Sequence, residues 1–165
     1  MEDKEEDPAT FEAIKAKLSN SKIFYGLTFH EAVRTSQEAA DVRGATLESG
    51  AKAMLLAVQN KDILIYILSV MSAAKKLSWK KVRALLGTKK VSMASEQEVW
   101  NISKCLPGAV PPFGSIMGIK TICDKSLVSQ GTDINFNCGL RTASIMMKVD
   151  DYLKTENPQI EDFTE

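Results

Sequence analysis

Two aliphatic segments near the middle of the chain limit the folds that it can adopt. Residues 54–58 and 63–70 are mostly apolar, and the polar residues 59–62 separate them. Short apolar runs that flank a turn are typical of neighbouring strands, and the second run is apolar at nearly every position, as expected of a strand covered on both faces. With eight residues, that run is far shorter than the ~20 needed to cross a bilayer. The pattern therefore predicts a β-hairpin inside a globular protein.

Capping signals place helices and further strands around this hairpin in an irregular order. Thr35 and Ser95 each stand three residues before a glutamate, as in a capping box, and Ser78 and Gly87 bracket another helix. A chain of 165 residues fits one domain. Because the elements do not alternate as regular βαβ units, the sequence predicts a single α+β domain with a mixed, curved β-sheet flanked by short helices. We expect helices at residues 8–18, 35–44, 47–51, 78–87, 95–102 and 149–154, and further strands at 22–30, 90–93, 119–123, 134–138 and 143–147.

The 21 basic and 21 acidic residues cancel, but they are unevenly distributed. Residues 1–7 hold five acids and one lysine, and residues 156–165 hold four acids and no base, so each end carries −4 and residues 8–155 carry +8. We therefore divide the chain into an acidic tail at 1–7, a domain at 8–155 and an acidic tail at 156–165, and we expect both tails to be disordered. A basic body is compatible with a polyanionic partner, although a lysine-rich solvated surface gives the same charge.

The cysteines and the single histidine argue against several kinds of site. Cys105, Cys123 and Cys138 are odd in number and widely spaced, which disfavours a disulfide framework and favours a reducing compartment, the cytoplasm. His30 is the sole imidazole, there is no CxxC or HExxH, and the acidic start of the chain is not a signal peptide. We predict no metal and no cofactor. A structural role is the simpler interpretation of His30 at the end of a strand.

The segment 107–114 has the sequence Pro-Gly-Ala-Val-Pro-Pro-Phe-Gly and is predicted to be an irregular loop. Proline fixes φ and lacks an N–H, whereas glycine permits positive φ and close approach of a ligand. Such a loop can present a few main-chain N–H groups at fixed angles to a carbonyl or a developing oxyanion. An ordinary tight connection between two elements is the alternative.

Lys52 is the second candidate for a functional residue, because it follows Gly50 and precedes the apolar run 54–58. A lysine stem held at the entry to a strand can direct its ammonium group into a cleft, where it contacts a phosphate, a ribose or a polarised carbonyl. A surface lysine whose stem packs along apolar surface is the alternative.

The order and spacing of these segments resemble the YbaK/ProX family of aminoacyl-tRNA-editing domains, which also occur inserted in, or standing beside, prolyl-tRNA synthetases. The resemblance extends over residues 23–153 and leaves the two tails uncovered. It rests on His30-Glu, Thr35-Ser-x-Glu-Ala-Ala, Arg43-Gly-x-x-Leu-Glu-x-Gly-Ala-Lys52, Lys76-Leu-x-x-Lys-Lys-x-Arg-x-Leu-Leu-Gly87, Val91-Ser-Met-Ala-Ser-x-x-Glu-Val99, Gly108-Ala-Val-Pro-Pro-Phe-Gly114, Asp124-x-Ser-Leu127 and Asn137-Cys-Gly-x-Arg141.

This resemblance implies hydrolysis in trans of mischarged tRNA, most often tRNA for proline carrying a small non-cognate amino acid. In the family, the lysine that matches Lys52 holds the acyl carbonyl or the terminal nucleotide, and N–H groups of the loop that starts at Gly108 hold the aminoacyl group and its oxyanion. The implied catalytic residues are therefore Lys52 and Gly108, assisted by water or a ribose hydroxyl and without a metal. The implied substrate-binding residues are Ala109, Val110, Pro111, Pro112 and Gly114 in the loop, with Phe29, His30 and Ala45 as candidates for the pocket walls.

Ala53 stands where some members of the family place threonine directly after the lysine, and this difference bears on which amino acid is edited. Alanine, cysteine, serine and threonine all stay open as the mischarged residue. The resemblance implies the acceptor end of aminoacyl-tRNA as a partner, prolyl-tRNA synthetase or a synthetase complex as a further partner, and no membrane. The alternatives are a tRNA- or synthetase-binding module without turnover and a small-ligand enzyme that uses the same pocket.

Overall fold

The hairpin predicted from the two aliphatic segments is present in the computed structural model, which describes residues 5–33 and 35–165. The helices are α1 (Ala9–Asn20), α2 (Ser36–Arg43), α3 (Trp79–Leu86), α4 (Glu96–Ser103), α5 (Lys125–Ser129) and α6 (Val149–Glu156), with a 3₁₀ turn at Gly114–Met117. The strands are β1 (Gly26–Phe29), β2 (Ala51–Asn60), β3 (Ile63–Ser72), β4 (Val91–Met93), β5 (Lys120–Asp124), β6 (Asp133–Asn137), β7 (Ala143–Lys148) and β8 (Gln159–Glu161). The predicted caps are present, since Thr35, Ser78 and Ser95 each accept a hydrogen bond from the amide three residues later.

The strands divide between two sheets. The larger has the order β4-β2-β3-β5-β8, in which β5 pairs in parallel with β3 and with β8 while the other pairs are antiparallel. The smaller is antiparallel with the order β1-β7-β6. The predicted α+β class with a mixed sheet and short helices is confirmed. The start of β2 approaches the middle of β6, since Gly50, directly before β2, bridges to Asn135.

Buried aromatic side chains join the loop 107–114 to the larger apolar cluster. Phe113 is fully buried and makes edge contacts with the rings of Phe136 at 5.7 Å and Tyr152 at 5.2 Å between centroids. Phe11 and Ile14 of α1 lie in the same cluster. Edge-to-face aromatic pairs add roughly 0.5–1.5 kcal/mol each beyond the area that they bury. The C-terminal end of the loop is therefore part of the core and holds a fixed position.

The first half of β3 corrects the prediction of a strand covered on both faces. Ile63 and Leu64 are 64% and 49% exposed, whereas residues 67–72 are buried. The reason is the register of the sheet, because β5 pairs with β3 only from Ile67 onward. The hairpin tip thus extends beyond the rest of the sheet. An apolar strand segment is also compatible with an exposed edge, which periodicity alone does not distinguish from burial.

Several other boundaries differ from those predicted. The strand expected at 22–30 is limited to β1, and the helical turn expected at 47–51 is a hydrogen-bonded turn that leads into β2. The short elements α5 and β8 were not predicted, because five and three residues are too few for a periodic signal.

The C-terminal segment 159–165, which we call the C-terminal strap, is ordered, and the prediction of disorder for this tail is wrong. Phe163 is fully buried, its amide donates to Asp124 Oδ1 at 2.7 Å, and its carbonyl accepts from the amide of Ser78 at 2.8 Å. The amide of Glu165 donates to the carbonyl of Lys76 at 2.8 Å. One buried aromatic ring within an acidic stretch therefore fixes the strap, and charge composition alone did not reveal it.

The acidic N-terminal tail falls partly outside the described residues, which begin at residue 5. Within the described part, the carboxylate of Glu6 accepts a hydrogen bond from the amide of Arg141 at 2.8 Å, so the prediction of disorder is wrong at this residue. No helix in the described ranges has the length and the apolar character that crossing a membrane would require.

Candidate active site

A cavity of about 220 Å³ opens between α2, the start of β2, the turn after β3 and the loop 107–114. Lys52 and Gly108, the two residues predicted to be catalytic, both line it, and so does Val110 of the same loop. Arg43 and Asn137 complete its polar wall. The structure thus brings together the two segments that the sequence analysis singled out separately.

Lys52 is the second residue of β2, and its ammonium group is anchored. Nζ donates to the carbonyl of Lys75 at 2.7 Å, in the turn that follows β3. Burial, followed by the nearby charge of Lys76, lowers the pKa of Lys52 from its ordinary value. Because an ammonium group has three N–H donors, two remain for a ligand after the contact with Lys75. The side chain is therefore a fixed cationic donor on the cavity wall.

The loop 107–114 is held by its carbonyl groups from one side. The carbonyl of Pro107 accepts from Arg141 Nε at 2.7 Å, and the carbonyl of Ala109 accepts from the amide of Gly139 at 2.9 Å. Both donors belong to the connection between β6 and β7. In a trans peptide the C=O and the following N–H point in opposite directions, and both of these peptides are trans. The N–H groups of Gly108 and Val110 therefore point away from that connection.

These two amides form a pair of free donors at the cavity. Neither the N–H of Gly108 nor that of Val110 has an acceptor among residues 5–33 and 35–165, whereas the intervening amide of Ala109 is satisfied by Leu106. Gly108 has φ +86°, and an added Cβ would meet no atom closer than 4.0 Å. The positive φ favours glycine here, and an added side chain would extend into open space and not against neighbouring atoms.

Asn137 fixes the carbonyl of Gly108, and Arg43 fixes Asn137. Nδ2 of Asn137 donates to the Gly108 carbonyl at 2.8 Å, while its Oδ1 accepts from Arg43 Nη2 at 2.9 Å. Since a guanidinium group can only donate, it holds the Asn137 amide in the orientation that directs Nδ2 to the loop. Arg43 also donates to Asn135 Oδ1 and to Ser144 Oγ, each at 2.8 Å.

The cavity is electropositive. Burial lowers the pKa of Arg43 to about 10, so the guanidinium remains charged at neutral pH. Neither Arg43 nor Lys52 forms an ion pair within the described part of the chain, and no carboxylate from that part lines the cavity. Two cations without counter-ions, beside two free N–H groups, favour a ligand that presents oxygen atoms with negative charge.

The remaining loop residues predicted to bind substrate lie behind the cavity wall. Ala109, Pro111, Pro112 and Gly114 are buried. The carbonyl of Pro112 accepts from the hydroxyl of Tyr152 at 2.6 Å, and the amide of Gly114 donates to Thr121 Oγ1 at 2.9 Å. At Gly114 an added Cβ would lie 2.5 Å from that oxygen. These positions anchor the loop and do not line the cavity.

The three predicted wall residues also lie outside the cavity lining. Phe29 is 66% exposed and packs edge-on against Phe11, and Ala45 follows α2 with its amide bonded to the carbonyl of Ala40. His30 Nε2 lies 2.7 Å from Ser144 Oγ, which also accepts from Arg43. His30 thus contacts the polar network behind the cavity.

Sequence reasoning did not single out Arg43, Asn137 and Arg141 as site residues, although all three stand within quoted landmarks. A signal was present in β6, where the buried apolar residues Ile134 and Phe136 alternate with asparagines. Asn135 and Asn137 are themselves 4% and 8% exposed. Buried polar side chains on one face of a strand require hydrogen-bond partners, and this requirement points to a network with a basic residue.

The part of the chain that the structure describes contains no group of three His, Cys, Asp or Glu side chains able to hold a metal ion.

Comparison with known proteins places the chain in a family. The aminoacyl-tRNA editing domain model matches residues 30–155, and the chain belongs to that family. It is 29% identical over 154 residues to the multifunctional Ser/Thr-tRNA deacylase ProXp-y of Escherichia coli strain K12, which covers 93% of this chain and 92% of that protein. It is 28% identical over 123 residues to the prolyl-tRNA editing protein ProX of Acetoanaerobium sticklandii, covering 72% and 74%.

A solved structure assigned as a candidate trans-editing enzyme for prolyl tRNA synthetase has the same fold. It superposes with a TM-score of 0.81 at 21% sequence identity and covers 96% of this chain and 98% of that one. The family and the fold class predicted from the sequence are confirmed.

Proposed function

We propose that this protein is a hydrolase that removes a small non-cognate amino acid from mischarged tRNA in trans, with tRNA for proline as the first acceptor to test. The observation that carries the proposal is the pairing of two free main-chain N–H groups, at Gly108 and Val110, with the anchored ammonium of Lys52 on one cavity. Its relatives named as Ser/Thr-tRNA deacylase and prolyl-tRNA editing protein support the assignment.

The size of the cavity supports an aminoacyl group as the part of the substrate that it holds. Sites that enclose drug-sized ligands have volumes of roughly 300–1,000 Å³, and this cavity has about 220 Å³. It accommodates a small amino acid while the ribose and base of the terminal adenosine remain at its mouth. The absence of carboxylates from its described lining disfavours lysine or arginine as the aminoacyl residue.

The donors are suited to ester hydrolysis. When a water oxygen attacks the ester carbonyl carbon, negative charge develops on the carbonyl oxygen, and the N–H groups of Gly108 and Val110 stabilise it. The bond to the ribose oxygen then breaks, and the proton released from the water passes to that oxygen, which leaves a free amino acid and a ribose hydroxyl. Lys52 holds the ester or the terminal nucleotide in position. An aminoacyl ester is already reactive, so positioning and electrostatic stabilisation suffice.

Deacylation of tRNA charged with alanine, cysteine, serine or threonine tests the proposal. We expect Lys52→Ala and Gly108→Val each to lower the rate at least about 100-fold, because each removes or blocks a group that contacts the reacting ester. Lys154→Ala is the matched control, since Lys154 is exposed on α6 and does not line the cavity.

Circular dichroism and thermal unfolding would show that the variants are folded. If the unaltered protein hydrolyses none of the four esters, it is not a deacylase for these amino acids and the binding-module alternative gains support. A Lys52→Ala protein with normal turnover would remove Lys52 from the mechanism.

We also propose that the protein acts in the cytoplasm and that prolyl-tRNA synthetase, or a complex containing it, supplies the mischarged substrate. The three cysteines are free thiols and are buried, as expected in a reducing compartment. Burial raises the pKa of Cys123 and of Cys138 to about 12, so neither is a reactive nucleophile.

Co-purification of prolyl-tRNA synthetase with the tagged protein from its own cells would test the proposed partner.

A further inference from the structure

The positive charge of the chain is concentrated in one short region, which we call the basic segment, residues 75–90. It holds seven basic residues and no acidic residue, namely Lys75, Lys76, Lys80, Lys81, Arg83, Lys89 and Lys90. Residues 8–155 together carry +8, so this segment of 16 residues accounts for +7 of that excess. The rest of the body is close to neutral. The largest local excess of positive charge along the chain is therefore in this segment.

All seven residues are exposed. In α3, Val82 is fully buried, whereas Lys80, Lys81 and Arg83 are exposed. Within the described ranges Lys81 is the only one of the seven that forms an ion pair, with Asp162 of the C-terminal strap at 3.0 Å. The other six form no ion pair in those ranges, although the groove that Lys75 and Lys81 line also carries the carboxylates of Asp124, Asp162 and Glu165.

The basic segment begins at the wall of the cavity. Its first residue, Lys75, supplies the carbonyl that accepts the hydrogen bond from Lys52 Nζ at 2.7 Å, and Ala73, two residues earlier, lines the cavity. Helix α3 begins four residues later and has eight residues, about 12 Å at 1.5 Å per residue. Cationic side chains thus follow directly in the chain on the residue that anchors Lys52.

We propose that the basic segment binds the phosphate backbone of the tRNA acceptor stem while the cavity holds the aminoacylated 3′ end. This proposal rests on the function proposed above. Phosphate contacts position a nucleic acid without reading its sequence, and each contact with a basic side chain releases counter-ions and makes binding salt-dependent. The segment therefore provides affinity for tRNA in general, whereas the cavity selects the amino acid.

The test uses the full chain with Lys80→Gln and Arg83→Gln combined. Neither residue lines the cavity, and glutamine keeps a good helix former in α3. We expect the affinity for uncharged tRNA for proline to fall roughly ten- to hundredfold near 0.1 M salt, and the slope of log affinity against log salt to decrease by about two. Hydrolysis of an aminoacylated CCA trinucleotide, which has no stem, is expected to keep its rate.

The matched control combines Lys148→Gln with Lys154→Gln, which removes the same charge from exposed positions outside the segment. An equal loss of tRNA affinity in the control would overturn the proposal, and so would an unchanged affinity and salt slope in the test variant. Loss of binding to prolyl-tRNA synthetase with normal tRNA affinity would also overturn it. Because binding of uncharged tRNA needs no turnover, this result is independent of whether the protein proves to be a deacylase.

Discussion

At the scale of single residues, the candidate active site depends on side chains that hold a main-chain loop from behind. The Arg141 side chain and the Gly139 amide bind the carbonyls of Pro107 and Ala109, and the N–H groups of the residues that follow, Gly108 and Val110, face the other way because the peptides are trans. No side chain of the loop has to perform chemistry. The free N–H groups recur at every second residue, because the amide of Ala109 between them is bonded to Leu106.

Arg141→Ala should therefore impair turnover without removing any group that touches the substrate. We expect the kcat to fall about 10- to 100-fold with a smaller change in KM, because the Gly108 amide loses its fixed direction. Arg141→Lys should recover part of the activity, since a lysine can donate one hydrogen bond to the Pro107 carbonyl. Steady-state kinetics of both variants with mischarged tRNA would measure the split.

The unfolding free energy distinguishes this positioning role from a purely structural one. A single hydrogen bond contributes about 1 kcal/mol, so Arg141→Ala should remain folded under assay conditions. A loss of activity that merely parallels a loss of folded protein would contradict the positioning role.

At the scale of elements, the C-terminal strap supports the turn that anchors Lys52. Its residues 163 and 165 pair with Ser78 and Lys76, directly after the Lys75 carbonyl that holds the ammonium. Phe163 also belongs to the smaller apolar cluster, with Leu77 and Val82 among its members. An element that sequence analysis had assigned to a disordered tail thus packs against the support of a candidate catalytic residue.

Phe163→Ala should destabilise the whole protein by about 3–5 kcal/mol, the usual cost of removing a buried aromatic ring. Asp162→Ala is the neighbouring control, because Asp162 makes exposed ion pairs with Lys81 and Lys125 that contribute at most about 1 kcal/mol. Urea unfolding of both variants would measure the difference. Equal stability of the two would show that the strap is not part of the cooperative fold.

At the scale of the whole molecule, one buried carboxylate connects the strap to the larger sheet and makes stability depend on pH. Asp124 at the end of β5 is fully buried and accepts hydrogen bonds from the amides of Ser126 and Phe163 and from the hydroxyl of Thr164. Burial acts to raise the pKa of Asp124, but these hydrogen bonds outweigh it, and the pKa lies below its ordinary value. Folding therefore favours the ionised form.

The stability contributed by this group is present above the unfolded-state pKa, about 4, and is lost as the pH falls through the lower folded-state pKa. We expect the urea midpoint to decrease between about pH 5 and pH 3. Asp124→Asn should be less stable at neutral pH and should show a flatter dependence over that interval. Asp133→Asn, which neutralises an exposed carboxylate, is the control, and the same flattening in that protein would contradict the assignment to Asp124.

The parts of the fold that sequence predicted are those with strong local signals. The hairpin β2–β3, the caps at Thr35, Ser78 and Ser95 and the irregular loop follow from hydrophobic patterning, hydrogen-bonding side chains and the dihedral limits of proline and glycine. The division into two sheets, the exposed tip of β3 and the parallel pairing of β8 depend on long-range register, which no local pattern encodes. The same distinction applies to the site, since Lys52 and Gly108 stand in recognisable motifs whereas Arg43 and Arg141 act through partners about 100 and 30 residues distant.

Apart from an exchange to proline, no substitution deletes a main-chain N–H donor, so most exchanges in the loop can only change its direction. In a selection experiment on randomised libraries, we therefore expect substitutions to be tolerated differently in the loop and in the residues that hold it. Val110 should accept other apolar side chains, whereas loss of activity should concentrate at Asn137, Gly139 and Arg141. Gly139 should be the least tolerant, since its φ is +97° and an added Cβ would lie 2.7 Å from the backbone nitrogen of Phe11. Inactivated natural versions of such a protein would then be recognised by changes in the β6–β7 connection, with the loop itself left intact.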